Sequence, residues 1–498
     1  MRKLIILMIT FLITLSTNAK NIYVSPTGSD ANTGLSIDKP LKTIEAGINK
    51  AVAGDSILLR GGTYTISTTI SISKTGTSNA KYYLLAYDGE QPILDCSSEA
   101  FGKKGMSLSG NYWFFKGILI KGAGDNGLYV SGSYNRFENC AFYENRDTGM
   151  QLSGGASYNE IINCDSYYNA DPTDYADADG FAIKMDVGSH NYFYGCRAWL
   201  NCDDGWDGYL RYTDNVTNEL ENCWVMKNGW LKDGTDPGPQ ANGNGFKMGG
   251  SDNKLLKHNV TLTNCLAFDN KSKGFDQNND KGNMTIINGT AYNNLGNNFS
   301  IPSELPSGSV ATVTNCAELG GKINFFTGVV ESHNSWLTFD VTSADFISID
   351  SEAAYGPRKA DGSLPDITYM HLAQGSQLID AGIDVGIPYF GSAPDMGTFE
   401  SNYPNGINKH SLADKDFTIT PNPVVLNANI KFNLQTSGNV YFEIYSITGS
   451  KVKSTSPEEM AAGTGNKMID CSELPKGIYI CQMVINREIM GVKRLVKK

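Results

Sequence analysis

The chain has little histidine and, after its first few residues, no long apolar run. Five histidines in 498 residues leave a thin supply for an imidazole-based metal centre or nucleophile relay, so carboxylates are the place to look for chemistry. The one long apolar run, residues 4–15, follows Arg2 and Lys3 and precedes Thr17, Asn18 and Ala19. It is too short for an ordinary membrane span and has the layout of a signal peptide, 1–19, cleaved at a small residue. An exported protein with no membrane span is the expectation. Basic charge is also lacking: the formal net charge is −11. That excludes non-specific nucleic-acid binding, which needs a basic footprint, and opposes an acidic partner unless a bound divalent cation reverses the local field. Regularly spaced Asn-Gly or Asp-Gly turns are missing too, which argues against the tandem hairpins of an antiparallel fold.

What is present is a repeat. Asparagines six apart recur as Asn139 and Asn145, Asn163 and Asn169, Asn222 and Asn228, Asn264 and Asn270, and Asn288 and Asn294, with Gly195 and Asn201 as a variant pair. Successive first members, closing on Asn315, are 24, 32, 27, 42, 24 and 27 residues apart. A period near 24 with β-formers between Gly and Asn corners suits the coils of a parallel β-solenoid, longer intervals being coils that carry loops. Stacked coils lie roughly 4.8 Å apart, close enough for an asparagine ladder. Cys140, Cys164, Cys196, Cys223, Cys265 and Cys316 share one register and read as small buried side chains, not bridges; Cys471 and Cys481 fall outside it and could pair. Residues 42–53 carry Ile44, Ile48, Ala51 and Val52 on one helical face, suited to capping the open end of the solenoid.

A second register aligns Gly149-Met150, Gly180-Phe181, Gly205-Trp206, Gly245-Phe246 and Gly274-Phe275. Extra residues enter just before the aligned strand in two coils, at 170–178 and about 230–243, and would wall a groove. On this alignment Asp179 stacks with Asp204, Asp203 is adjacent, and the outward column reads Gln151, Ala182, Asp207, Lys247, Asp276. Asp179, Asp203, Asp204 and Asp207 would repel one another and take up protons without a cation, and an all-oxygen set favours a hard ion such as Ca²⁺. The bland alternative is four separate turn residues. Lys247 is either a solvated charge or, beside a cation that lowers its pKa, a general base.

The segments Asp179-Gly180-Phe181-Ala182, Cys202-Asp203-Asp204-Gly205-Trp206-Asp207 and Asn244-Gly245-Phe246-Lys247 resemble polysaccharide lyase family 9 in order and approximate spacing, across about 21–400. The resemblance implies a right-handed parallel β-helix that cleaves pectic backbones by β-elimination. It makes Asp179, Asp203, Asp204 and Asp207 the calcium ligands and Lys247 the base. The loop before Lys247 is expected to be longer than is usual for the family. The partner would be an acidic plant polysaccharide, polygalacturonate or rhamnogalacturonan, with Arg211, Lys184 and Lys227 as candidate further uronate contacts. Two other readings stay open: a β-helix galacturonan hydrolase using aspartates as acid and base, and a non-catalytic polysaccharide-binding surface protein.

After Glu400 the pattern changes. The expected division is an all-β catalytic β-helix over 20–405, a linker over 406–416 and a small β-sandwich over 417–498. Pro421-Asn422-Pro423, Thr448-Gly449, Leu474-Pro475-Lys476-Gly477-Ile478-Tyr479 and Lys493-Arg494 resemble the C-terminal sorting domain of type IX secretion substrates. That implies a secreted or cell-surface location and a partner in the secretion machinery.

Overall fold

The computed structural model describes residues 19–402, 417–434, 437–446, 451–485 and 488–498. The signal-peptide segment up to residue 18 and the linker 406–416 lie outside these described residues. The chain forms two compact units, one ending at Gly386 and regained over Asp395–Ser401, the other holding Ile387–Pro394 and 402–498. No helix among the described residues is long and apolar enough to cross a membrane.

The large unit is a parallel β-helix. Its strands are mostly three or four residues long and fall into three sheets of twelve, ten and ten strands. The chain visits the sheets in turn, as in Tyr192–Tyr194, Arg197–Trp199 and Trp206–Asp207. Each strand pairs with its equivalent one coil away, so a column of aligned residues runs along each face.

The paired asparagines divide the work of turning the chain. The first members adopt the left-handed conformation, with φ of 55° at Asn139, 53° at Asn163 and Asn222, and 52° at Asn264 and Asn288. Gly195 takes the same place at φ 63°, which explains the variant pair, because Gly and Asn tolerate this region best. The second members form the buried ladder: side-chain amides donate from Asn145 to Asn169 at 2.9 Å, Asn169 to Asn201 at 2.8 Å, Asn201 to Asn228 at 2.9 Å and Asn228 to Asn270 at 3.0 Å. A second ladder, not evident from the six-residue spacing, runs through Asn135, Asn159, Asn191 and Asn218 and ends on His258 Nε2 at 2.8 Å. Burial pushes His258 down to about 4. Its neutral ring donates from Nδ1 to the Gly208 carbonyl, 2.8 Å away, and accepts at Nε2.

All ten cysteines are free and buried. Cys471 and Cys481 are not bonded to each other; both sit in the core of the smaller unit. The cap helix, Ile44–Lys50, starts where Thr43 accepts from the Ala46 N–H. Ile44, Ile48 and Ala51 are buried as expected, but Val52 is 50% exposed. The helix ends at Lys50 and Ala51 is already extended (φ −65°, ψ 141°), so the helical face does not continue to Val52.

Returning chain at 351–386 and 395–400 lies back along the coils. Arg358 and Arg197 both grip Asp165, with Nη2 of Arg358 2.6 Å and Nε of Arg197 2.9 Å from Oδ1. The smaller unit is antiparallel: Phe417–Thr420, Asn427–Leu434 and Gly463–Asp470 make one sheet, and Gly438–Ser446, Gly477–Ile485 and Glu488–Lys497 are the main strands of the other. Phe417 and Phe432 of the first sheet meet Phe442 of the second at 5.7 and 5.4 Å, a small sandwich with its own core.

Candidate metal and catalytic site

The site grows out of one column of paired residues. Gln151 pairs with Ala182, Ala182 with Asp207, Asp207 with Lys247 and Lys247 with Asp276, which is the register read from the sequence. Beneath it, Phe181, Trp206, Phe246 and Phe275 stack at centroid distances of 4.6, 5.4 and 5.1 Å. That aromatic core fixes which residues point out, because strand side chains alternate faces.

Asp179, Asp203 and Asp204 are buried, and each offers an oxygen lying within 4.8 Å of the others. Both inserted loops supply donors to Asp203. The Asn242 N–H lies 2.6 Å from Oδ1 and the Asp177 N–H 3.2 Å from Oδ2. Asn244 puts its backbone N–H and side-chain amide on Asp204 Oδ1, at 2.7 and 2.9 Å. Asp204 Oδ2 accepts no hydrogen bond; Lys247 Nζ lies 3.0 Å from it as an ion pair. Asp207 stands beside the trio. Its Oδ1 accepts from the Tyr209 N–H at 3.0 Å and lies 3.2 Å from Lys247 Nζ.

Lys184 is the residue that the sequence reading misplaced. Far from being a free contact for substrate, it is buried, donating to Asp179 Oδ2 at 2.8 Å and lying 3.5 Å from Asp207 Oδ2. Its position two residues after Ala182 was the available signal, since i and i+2 of a strand share a face. Arg211 is committed to Asp252 at 2.8 Å, and Lys227 lines a different pocket. Thr148, Asn242 and Asn244, which hold the aspartates, were also not singled out in advance.

Electrostatics show a site short of positive charge. Burial raises the Asp203 carboxyl to about 7, with Asp204 adding to the shift. Burial likewise raises Asp179, against the pull of Lys184, and Asp204, against the pull of Lys247. Burial raises Asp207 too, but Lys247 and Lys184 outweigh it and hold that carboxyl low. For Lys247, burial acts to lower the pKa, yet Asp204 and Asp207 more than offset it and keep the ammonium charged. Four carboxylates therefore face two ammonium groups. The clustered hard oxygens and this deficit of two charges both fit a divalent cation.

A parallel β-helix carrying a carboxylate cluster and an aligned lysine beside two inserted loops is the frame of a polysaccharide lyase, and the relatives bear this out. Residues 22–315 match the family described as Pel9A-like, right-handed β-helix region, and 418–498 match the secretion system C-terminal sorting domain. The chain belongs to this Pel9A-like family of right-handed β-helix polysaccharide lyases. It is 40% identical to pectate lyase L of Dickeya chrysanthemi over 393 residues, covering 76% of this chain and 90% of that protein. Among solved structures, pectate lyase Pel9A superposes with a TM-score of 0.72 at 38% identity, covering 78% of this chain and 97% of the other. A rhamnogalacturonan lyase superposes with a TM-score of 0.63 at 25% identity, covering 72% and 97%. The sorting domain marks the protein for export to the cell surface or beyond.

Proposed function

We propose that the protein is a calcium-dependent pectate lyase that cleaves the galacturonan backbone by β-elimination, with Lys247 as base. The observation that carries this reading is the in-register stacking of Lys247 on Asp207, with its Nζ 3.0 Å from Asp204. Asp179, Asp203, Asp204 and Asp207 would hold the ion. Bound there, Ca²⁺ would neutralise the substrate carboxylate and acidify the hydrogen at C5.

The chain's own residues do the rest. Lys247 can act as base only when its amine is neutral, and Asp204 and Asp207 now hold it charged; compensating their charge elsewhere releases it. The neutral Nζ takes the proton from C5. The C5–H electron pair becomes the C4–C5 double bond, the C4–O4 bond breaks, and the leaving oxygen takes a proton from solvent. Loops 170–178 and 230–243 orient Asp203 through the Asp177 and Asn242 N–H groups, and Asn244, just after the second loop, holds Asp204, so the acceptor geometry is set before substrate arrives. Lys184 cancels part of the buried charge and keeps Asp179 and Asp207 in place.

The remaining assignments follow: residues 1–19 as signal peptide, 20–405 as catalytic domain, 406–416 as linker and 417–498 as sorting domain. Ultraviolet absorbance tests the reading, with purified protein incubated with polygalacturonate and with rhamnogalacturonan, in calcium or chelator. Calcium-dependent unsaturated uronate from polygalacturonate is expected. The same signal from rhamnogalacturonan alone would move the substrate to that polymer, and shortened chains without the signal would point to hydrolysis.

A further inference from the structure

Away from the aspartate cluster lies a pocket of about 510 Å³, within the range of small-ligand sites. Its floor is a column of corner residues on successive coils that includes Tyr168, Lys227 and Asp269, each immediately following a paired strand residue. All three are left-handed, at φ 60°, 54° and 56°. Asn293 meets that backbone demand in the same column and Asp269 tolerates it, whereas Tyr168, Leu200 and Lys227 carry larger side chains there at some cost. Trp230 and Tyr355 complete an aromatic lining, and Glu352 stands on the exposed side.

Several groups in the pocket are unspent. The Lys227 ammonium and Tyr355 hydroxyl take part in no hydrogen bond among the described residues, and Trp230 forms no ring contact there. Aromatic faces with free donors and acceptors suit the apolar C–H face and the hydroxyls of a sugar. Charge narrows the choice. Asp269 and Glu352 outnumber Lys227, and Lys232, which stands over the Tyr168 ring, is neutralised by its ion pair with Glu144, so the lining would repel a uronate but not a neutral sugar. Trp230 also opens the loop whose far end supplies Asn242 and Asn244 to Asp203 and Asp204, which ties this pocket to the groove by one continuous segment.

We propose that this pocket is a second carbohydrate site, taking a neutral hexose or pentose residue carried as a branch on the acidic main chain. It rests on the reading of an acidic polysaccharide as substrate. Saturation-transfer NMR on the Lys247→Ala protein tests the chemistry without turnover, with methyl β-galactoside and methyl α-arabinoside as probes and methyl galacturonate as the acidic control. Transfer to at least one neutral glycoside is expected, weakened about tenfold by Trp230→Ala and reduced by Glu352→Ala, an exposed change that spares the fold. No neutral transfer, or transfer unchanged in both variants, overturns the site. Calorimetry with galactan-branched and debranched polymer tests the source: the branched polymer binds tighter, and the difference is lost in Trp230→Ala. Equal affinities overturn the branch. Neutral binding without lyase activity in the unmutated protein would remove the proposed function and leave the pocket; lyase activity without neutral binding would remove the pocket alone.

Discussion

Buried charge at single residues decides both chemistry and stability here. Asp165 is held below the usual carboxylate value: burial raises it, but Arg358 and Arg197 outweigh burial. With the folded pKa below the unfolded value of about 3.9, its stabilisation is full above that value and is lost as pH falls through the folded pKa. Thermal melts from pH 6 downward should therefore show Tm falling below about pH 4, and Asp165→Asn should flatten that fall. The same substitution leaves two buried guanidinium groups uncompensated and should cost about 3 kcal/mol at pH 7 in urea unfolding; a cost below about 0.5 kcal/mol would mean the pairs are dispensable. At the aspartate cluster, saturating calcium should raise Tm, by about 2.7 kcal/mol in stability at one hundred times Kd. Asp204→Ala, which removes one carboxylate of the cluster, should abolish that shift.

At the scale of elements, the coils are held by ladders of buried amides. Asn201→Ala removes the acceptor of Asn169 and the donor to Asn228 Oδ1 and should destabilise by about 2–3 kcal/mol, read as a lower urea midpoint with an unchanged slope. The sequence made this ladder legible because one residue type recurs once per coil, and it made the Lys247 column legible because the Gly-aromatic or Gly-Met pair just before it recurs in the same way; an inserted loop shifts the count without changing either mark. It hid what does not repeat. Lys184 lies just past its strand and belongs to neither repeating register, so its face could be read from Ala182 but its pairing with Asp179 could not. The second ladder changes type at His258, which conceals its end. Val52 fits a helical wheel, but the helix stops two residues earlier, because capping at Ala51 depends on tertiary contacts that periodicity does not report.

At the scale of the molecule, two units with separate cores divide catalysis from export. The aspartate cluster and Lys247 lie wholly in the larger unit, and the smaller one carries the sorting match. Calorimetry of the full chain should show two transitions, and protein ending at residue 402 should keep one of them with an unchanged kcat/KM; a single shared transition would contradict the division. The central claim is that Lys247 removes the C5 proton. Its most direct test is the initial rate of unsaturated-uronate absorbance from polygalacturonate in saturating calcium, for the unmutated protein and for Lys247→Ala, with calcium-induced Tm shifts recorded on both. The account predicts a rate at least about 10²-fold lower in the variant while the calcium shift persists; a variant retaining more than about a tenth of the rate would contradict it.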